Sequence, residues 1–175
     1  MNFGKIARRF LTPPIVVTLI GLIRFGCRIS PRAEVELSPN LKIGKGTDIG
    51  SFTKIKSADG PLEIGAHVAI GNSSFISASE GGVQIGDYSM ISPNVTIVGN
   101  SYRYDRLDVP VCNQEKTSKG IRIGRDVWIG AGSVILDGAS IGEGSIVSAN
   151  SSISGRIPNY SVVQGNPGKV IFTRR

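Results

Sequence analysis

Residues 123–153 read IGRDVWIGAGSVILDGASIGEGSIVSANSSI, and an aliphatic residue returns at every sixth position of this stretch. The same spacing begins at Ile43 and holds, with short interruptions, as far as Ile97. Six residues match neither the helical period of about 3.6 nor the strand period of about two. The pattern therefore predicts a repeating turn geometry, the parallel β-helix, in which stacked turns of chain align their aliphatic side chains in interior ladders.

A longer period relates the aliphatic positions of successive turns. Ile43, Ile64 and Ile85 are separated by 21 residues, and two further series keep the same spacing. Three hexapeptides with three inserted residues explain this period, and the insertions fall at the same corner, around 57–59 and 79–81. We therefore expect about five turns in register around a single core, which an ordinary β-sandwich or barrel would not explain.

Small residues accompany the aliphatic positions. Glycine often follows directly, as at Gly44 and Gly71, and we expect it to adopt corner angles that a Cβ would hinder. Thr47, Ser133 and Ser145 lie four places after an aliphatic residue, where their size suits a narrow interior.

The net charge of +7 is unevenly distributed. The first 32 residues hold six basic residues and no acid, whereas the rest of the chain holds 14 basic and 13 acidic residues. The repeat region is thus nearly neutral and lacks interleaved aromatic residues, which excludes a nucleic-acid-binding function. Cys27 and Cys112 have neither metal nor redox spacing, so we expect plain thiols in a reducing compartment.

The basic N-terminal segment, residues 1–32, is predicted to be helical and precedes a β-helix over 33–157 and a tail over 158–175. Its apolar stretch is shorter than the roughly 20 residues that span a bilayer. Three interpretations are open: a helix that caps the β-helix or packs between subunits, peripheral membrane association through residues 5–28, or a cleaved signal peptide. Arg24 and Arg28 argue against cleavage. The expected location is the cytoplasm, including the inner face of the membrane.

The repeat has one large break, residues 98–122. A regular β-helix wall offers no pocket, so an excursion of this size is the natural place for a site. The break is rich in polar side chains that form hydrogen bonds and contains no histidine.

Two motifs carry a family resemblance: TSKGIRIGRDVWIGAG at 117–132 and GNPGKVI at 165–171. Over about residues 30–175 the chain resembles the hexapeptide-repeat acyltransferases, most closely the bacterial sugar O-acetyltransferases of capsule, O-antigen and exopolysaccharide synthesis. The resemblance implies an all-β fold, a left-handed parallel β-helix of about five coils with a short N-terminal helix and one long protruding loop.

The same resemblance implies a partner and a chemistry. Family members are homotrimers that bind acetyl-CoA between neighbouring β-helices, without a metal, and move its acetyl group to a sugar or lipid-linked saccharide acceptor. Residue by residue, the implied coenzyme contacts are Ala131, Ala149, Ser154, Gly155 and Lys169. The resemblance also implies that Trp128 and Tyr102 line the pocket. The small residues Ala131 and Ala149 also suit a wall without any ligand.

At one position the chain departs from the family. Its members carry a histidine at the start of the long loop, which accepts the proton of the acceptor hydroxyl. Here that position is Asn100, or Tyr102 if the alignment shifts by two, and neither is a base at neutral pH. Asn100 is left to orient the acceptor or to bind the thioester carbonyl.

Two other side chains are alternative bases. His67, the single histidine, is predicted to face outward, and Asp105 qualifies if the loop desolvates it. Asp105 is equally a salt-bridge partner for Arg103 or Arg106. Catalysis by proximity alone is a further alternative.

Two functions from different classes remain. One is an acetyl-CoA-dependent O-acetyltransferase of surface-polysaccharide synthesis, and the other is a catalytically silent trimeric scaffold or binding protein. The γ-class carbonic anhydrases share the predicted architecture but need three histidines around zinc, so the single histidine excludes them.

Overall fold

The computed structural model of the protein describes residues 13–175, which form three narrow sheets around one core. The first sheet contains β1 (Arg28–Ile29), β4 (Asp48–Ile49), β7 (Ala69–Ile70), β10 (Met90–Ile91), β15 (Trp128–Ile129), β18 (Ile146–Val147), β21 (Ser161–Gln164) and β22 (Lys169–Thr173). The second contains β2 (Glu34–Val35), β5 (Lys54–Lys56), β8 (Phe75–Ser77), β11 (Thr96–Val98), β16 (Val134–Leu136) and β19 (Ser152–Ile153). The third contains β3 (Leu41–Ile43), β6 (Leu62–Ile64), β9 (Val83–Ile85), β14 (Ile121–Ile123), β17 (Ser140–Ile141) and β20 (Arg156–Ile157).

Consecutive strands of the chain pass from sheet to sheet, and each pairs in parallel with the equivalent strand of the next turn. Ile49 lies beside Ile70 and Ile70 beside Ile91, as the 21-residue period predicts. The parallel β-helix is therefore confirmed.

The second and third sheets hold six strands each, so residues 13–175 make six turns, one more than the prediction of about five. The additional turn is the first one, where Ile29 and Val35 are the inward residues. Neither is followed by glycine, and the inserted corner at 38–40 follows them at once, so the six-residue pattern is hard to see there.

The aliphatic ladder residues form the core. In the second sheet Ile76, Ile97 and Ile135 lie on neighbouring strands, and each is fully buried. Burial of one such side chain contributes about 1.5–3 kcal/mol. The small residues four places later are also buried, and their hydroxyl groups bond to the next turn, as Thr47 Oγ1 does to Gly65 O at 2.8 Å.

The glycines behind the ladder residues have a different role from the predicted one. Gly71 does not adopt a left-handed φ, but a Cβ there would lie 2.5 Å from the Pro93 nitrogen of the next turn. Left-handed backbone occurs instead three places after the ladder residue, as at His67 and Asn94. The close stacking of turns thus requires glycine here, and this part of the prediction was wrong.

A short helix, α1 (Pro14–Ile20), precedes the first strand and runs into a wider helical turn over Gly21–Phe25. Val17 is buried in the core, and Thr18 Oγ1 donates a hydrogen bond to Ile29 O at 3.0 Å. This contact favours the capping interpretation for the described part of the segment. The predicted membrane-surface segment before Pro13 lies outside the described residues.

Within residues 13–175, no helix combines the length and the apolar character needed to cross a bilayer. Cys27 is buried and Cys112 exposed, and both are free thiols. Burial is the main cause that raises the pKa of the Cys27 thiol.

The strand pairings extend beyond the predicted limits of the β-helix. Strand β1 precedes residue 33, and β21 continues the first sheet after residue 157. Strand β22 then pairs antiparallel with β21 and ends that sheet. The excursion is also shorter than the predicted 98–122, because Val98 belongs to β11 and Ile121 opens β14.

Candidate functional site

The excursion between β11 and β14 folds into a β-hairpin, hereafter the hairpin (residues 99–120). Its strands β12 (Ser101–Tyr102) and β13 (Lys116–Thr117) pair antiparallel. The tip contains a short 3₁₀ turn, Val111–Asn113. Most of its side chains are exposed, so the hairpin protrudes from the β-helix wall.

Two side chains fix the base of the hairpin to the turns on either side of it. Ser118 Oγ donates to Gly99 O at 2.6 Å and accepts a hydrogen bond from Gly81 N at 2.8 Å. Asp137 in the following turn accepts hydrogen bonds from the backbone amides of Lys119, at 2.8 and 2.9 Å, and of Gly120, at 2.9 Å. A carboxylate that accepts several amide bonds makes strong contacts, so the base of the hairpin is rigidly placed.

Asp137→Ala is expected to loosen this base, because two backbone amides lose their acceptor. We expect a loss of about 2 kcal/mol in the free energy of unfolding and faster hydrogen exchange at the Lys119 and Gly120 amides. Asp137→Asn, which keeps one acceptor oxygen, should restore part of the protection. The matched control is Glu143→Ala, since within residues 13–175 its exposed carboxylate has no hydrogen bond or ion pair. Unchanged exchange in Asp137→Ala would contradict the role.

The hairpin and the outer face of the second sheet enclose a trough of about 600 Å³. Its lining residues are Asn100, Ser101, Tyr102, Arg103, Tyr104, Asp105, Thr117, Lys119, Leu136, Asp137 and Ser154. Three predicted site residues from the hairpin, Asn100, Tyr102 and Asp105, therefore share one cavity with Ser154 from the last turn. The break in the repeat predicts that the three hairpin residues lie at one site. Ser154 joins their cavity only because the turns of the β-helix stack.

Asn100 lies at the root of the hairpin and is half-buried. Within the described residues 13–175, its side-chain amide forms no hydrogen bond with protein groups. The amide thus has both a donor and an acceptor free for a ligand in the trough.

The two carboxylates of the trough are both engaged. Arg103 binds Asp105 through two hydrogen bonds, at 2.9 and 2.6 Å, and this contact is the main cause that lowers the pKa of Asp105. Asp137 is held by the backbone amides at the hairpin base. A lowered pKa makes Asp105 a weaker base, so the geometry favours its salt-bridge interpretation over the catalytic one.

The predicted pocket residue Trp128 and the predicted alternative base His67 lie elsewhere on the chain. Trp128 projects from the first sheet, where its Nε1 donates to Ser92 Oγ at 3.0 Å and its ring borders a separate groove of about 420 Å³. His67 lies exposed at the corner between the third and first sheets and stacks on Tyr88, with 5.0 Å between ring centroids. Within one chain, neither side chain lines the trough.

Four of the five predicted coenzyme positions flank the second sheet in its last two turns, and the fifth, Lys169, lies in the first sheet. Ala131 and Ala149 lie exposed in the turns that lead into β16 and β19. The backbone N–H of Asn150 donates a hydrogen bond to Ala131 O. Ser154 and Gly155 follow β19 at the opposite corner. Lys169 opens β22, just after Gly168 donates a backbone hydrogen bond to Ser152 O at 2.8 Å.

Gly155 differs from the ladder glycines in its surroundings. A Cβ added there would meet nothing within 4 Å, and its φ lies outside the left-handed region. Neither packing nor backbone geometry within the chain requires glycine at this position. Its assignment to the coenzyme therefore remains a prediction from the resemblance.

Sequence reasoning missed Leu136 and Asp137, which line the trough at the end of β16. The available signal was the Asp137-Gly138 pair, a turn signature that follows the ladder residue Ile135. Among residues 13–175, no group of three or more His, Cys, Asp or Glu side chains is arranged to hold a metal ion.

Comparison with known protein families matches two parts of the repeat. Residues 120–155 match the bacterial transferase hexapeptide (six repeats), and residues 61–98 match the hexapeptide repeat of succinyl-transferase. The chain resembles the hexapeptide-repeat acyltransferases. The resemblance predicted from the motifs at 117–132 and 165–171 is thus confirmed.

Curated relatives carry acetyltransferase names. A probable acetyltransferase of Mycobacterium tuberculosis is 29% identical over all 175 residues, which cover 57% of that protein. The putative lipopolysaccharide biosynthesis O-acetyl transferase WbbJ of Escherichia coli is 38% identical over 64 residues, which are 37% of this chain and 33% of WbbJ. The chain thus spans little more than half of the first relative, and its aligned part covers a third of the second.

Solved structures share the fold. AntD, an N-acyltransferase from Bacillus cereus in complex with dTDP and 3-hydroxybutyryl-CoA, superposes with a TM-score of 0.70 at 21% identity, covering 86% of this chain and 81% of AntD. A hexapeptide-repeat acetyltransferase from Vibrio cholerae, complexed with acetyl coenzyme A, gives a TM-score of 0.55 at 25% identity. That alignment covers 98% of this chain and 83% of the Vibrio protein.

Proposed function

We propose that this protein is an acetyl-CoA-dependent acetyltransferase that acts on a sugar hydroxyl in surface-polysaccharide synthesis. The observation that carries the proposal is the trough, where the Asn100 side-chain amide, which has no partner among residues 13–175, shares a cavity with Ser154, one of the predicted coenzyme positions. The relatives named acetyltransferases and the Vibrio structure with acetyl coenzyme A support the cosubstrate. The name of WbbJ supports oxygen as the acceptor atom, whereas AntD is an N-acyltransferase.

In the proposed reaction, the acceptor hydroxyl oxygen attacks the thioester carbonyl of acetyl-CoA. The C–S bond breaks, the acetyl group becomes bonded to the sugar oxygen, and the hydroxyl proton passes to the departing CoA thiolate. The Asn100 amide donates a hydrogen bond to the carbonyl oxygen, on which negative charge develops, or holds the acceptor hydroxyl in line. With Asp105 engaged by Arg103, the rate relies on orientation rather than on a protein base.

The proposed assembly is a homotrimer, with the coenzyme between neighbouring β-helices. In such an assembly, a neighbouring copy contacts either the groove of the first sheet beside Trp128 or the corner that carries His67. His67 as a base thus remains a proposal that depends on assembly. Its stacking on Tyr88 supports a structural role instead.

A catalytically silent trimeric scaffold is the second candidate, and it is favoured by the engagement of both carboxylates that line the trough. The two functions are separated by incubating the protein with acetyl-CoA and a panel of nucleotide sugars and lipid-linked saccharides while free CoA is measured. The proposal expects acceptor-dependent CoA release and thermal stabilisation by CoA. No release with any acceptor and no thermal shift would leave the scaffold.

Gly155→Val tests the coenzyme face. Because the position is open, we expect the free energy of unfolding to change by less than about 0.5 kcal/mol, while the new side chain blocks the wall and weakens CoA binding roughly tenfold. Calorimetric titration with CoA measures the effect. The control is Ala58→Val, at the same corner of an early turn, which should leave CoA affinity unchanged. Equal CoA affinities of Gly155→Val and the unaltered protein would show that the coenzyme does not bind at this face.

A further inference from the structure

The helical segment before β1 has two apolar faces, and only one of them is packed. Its inner face carries Val17, which is buried in the core, and Gly21, which lies against Ile29 so closely that a Cβ would meet that side chain at 2.9 Å. These contacts already explain why the segment covers the first turn.

The outer face is an exposed stripe of large apolar side chains. Its members are Ile15, Val16, Leu19, Leu22 and Ile23, which recur at helical spacing, and Ile23 is 84% exposed. A surface helix normally places polar residues on its outer side, so a stripe of this kind marks an interaction surface.

Exposed arginines lie within and just after the segment that carries the stripe. Arg24 and Arg32 are exposed and lie over the rings of Phe25 and Phe52, at 5.2 and 5.8 Å from the ring centroids. Arg28 is exposed and pairs with Asp48. Residues 13–32 contain no acid, so the segment that carries the stripe is positively charged.

We propose that this outer face docks on an anionic lipid bilayer. The apolar stripe would enter the boundary between headgroups and acyl chains, while the arginines contact the lipid phosphates. Each such arginine contributes roughly a fivefold gain in partition to an anionic surface.

Charge favours a bilayer over a twofold contact with a second copy of this chain. In a twofold contact the same patch meets itself, which would set Arg24 and Arg32 against their own equivalents without acids to neutralise them. The bilayer supplies the missing negative charge. The inner face then caps the β-helix while the outer face binds lipid, so capping and membrane association are compatible. This inference does not depend on the proposed enzymatic function.

The test is co-sedimentation of the full chain with vesicles of phosphatidylcholine alone and of phosphatidylcholine with phosphatidylglycerol. We expect binding to the anionic vesicles, which weakens as salt is added. The double variant Leu19→Glu with Ile23→Glu should lower the partition coefficient by about tenfold or more, because charge replaces apolar contact. The control is Leu107→Glu, which alters a fully exposed leucine of the hairpin and should bind as before.

A second variant keeps the stripe and removes charge. Arg24→Gln with Arg32→Gln should weaken binding to anionic vesicles and leave the weak binding to neutral vesicles unchanged. Absence of binding to anionic vesicles, or equal binding by the glutamate variant, overturns the proposal. A fall in oligomer mass of the glutamate variant by light scattering, without any vesicle binding, would assign the stripe to a second copy instead.

Discussion

Asn100→His is expected to raise turnover by about two orders of magnitude, because a base within reach of the acceptor hydroxyl typically contributes roughly 10² to 10⁴. Asn100 lies at the root of the hairpin, in the trough, with no protein partner for its amide among residues 13–175. An imidazole there would accept the hydroxyl proton during the attack, before the CoA thiolate has formed to take it. The measurement is CoA release with saturating acetyl-CoA and the best acceptor of the panel.

The pH dependence sharpens this experiment. A catalytic histidine must be neutral, so the rate of the variant should fall as the pH drops through about 6.5, the ordinary histidine pKa. The unaltered protein should lack this transition. The matched control is Asn113→His, at the hairpin tip and away from the trough lining, which should leave turnover unchanged.

If Asn100→His has no more activity than the unaltered protein, while CoA still binds, the trough lacks more than a base. The scaffold function would then be favoured. Asn100→Ala provides the opposite comparison, since loss of activity there would show that the amide itself takes part.

Ile97→Ala is expected to be the most destabilising single change in the β-helix, at about 4 kcal/mol. Ile97 is fully buried between Ile76 and Ile135 on the neighbouring strands, and the turns above and below are fixed by their own hydrogen bonds. The cavity therefore cannot collapse. Urea unfolding should show the loss, and thermal unfolding should shift by roughly 10 °C.

Two controls accompany this change. Ile97→Val removes a single methyl group and should cost about 1 kcal/mol. Ile171→Ala alters an exposed isoleucine of β22 and should stay within about 0.5 kcal/mol. A similar loss for Ile97 and Ile171 would show that the ladder does not carry the stability of the fold.

The interior of the molecule follows from the sequence because one rule is repeated. Inward residues of a β-helix contact equivalent residues of the adjacent turns, so their spacing along the chain defines their neighbours in space. The 21-residue period thus pairs Ile49, Ile70 and Ile91 correctly. It does not reveal the first turn, because Ile29 and Val35 lack the glycine that marks the other turns.

The glycines show where local reasoning fails. The sequence explains Gly71 through its own backbone angles, yet the constraint comes from the Pro93 nitrogen of the next turn. Family resemblance alone assigns Gly155 to the coenzyme. The fold shows only that packing does not require glycine there, since a Cβ at Gly155 would have no neighbour in the chain within 4 Å.

The sequence by itself determined the parallel β-helix, the position of its single large break and the absence of histidine from that break. These features depend on residue type and spacing, which are local. The tertiary structure decided that Asp137 holds the hairpin, that Asp105 is bound by Arg103, and that Trp128 and His67 lie outside the trough. Such contacts depend on how an irregular hairpin folds back onto a regular wall, and the repeat contains no information about that path.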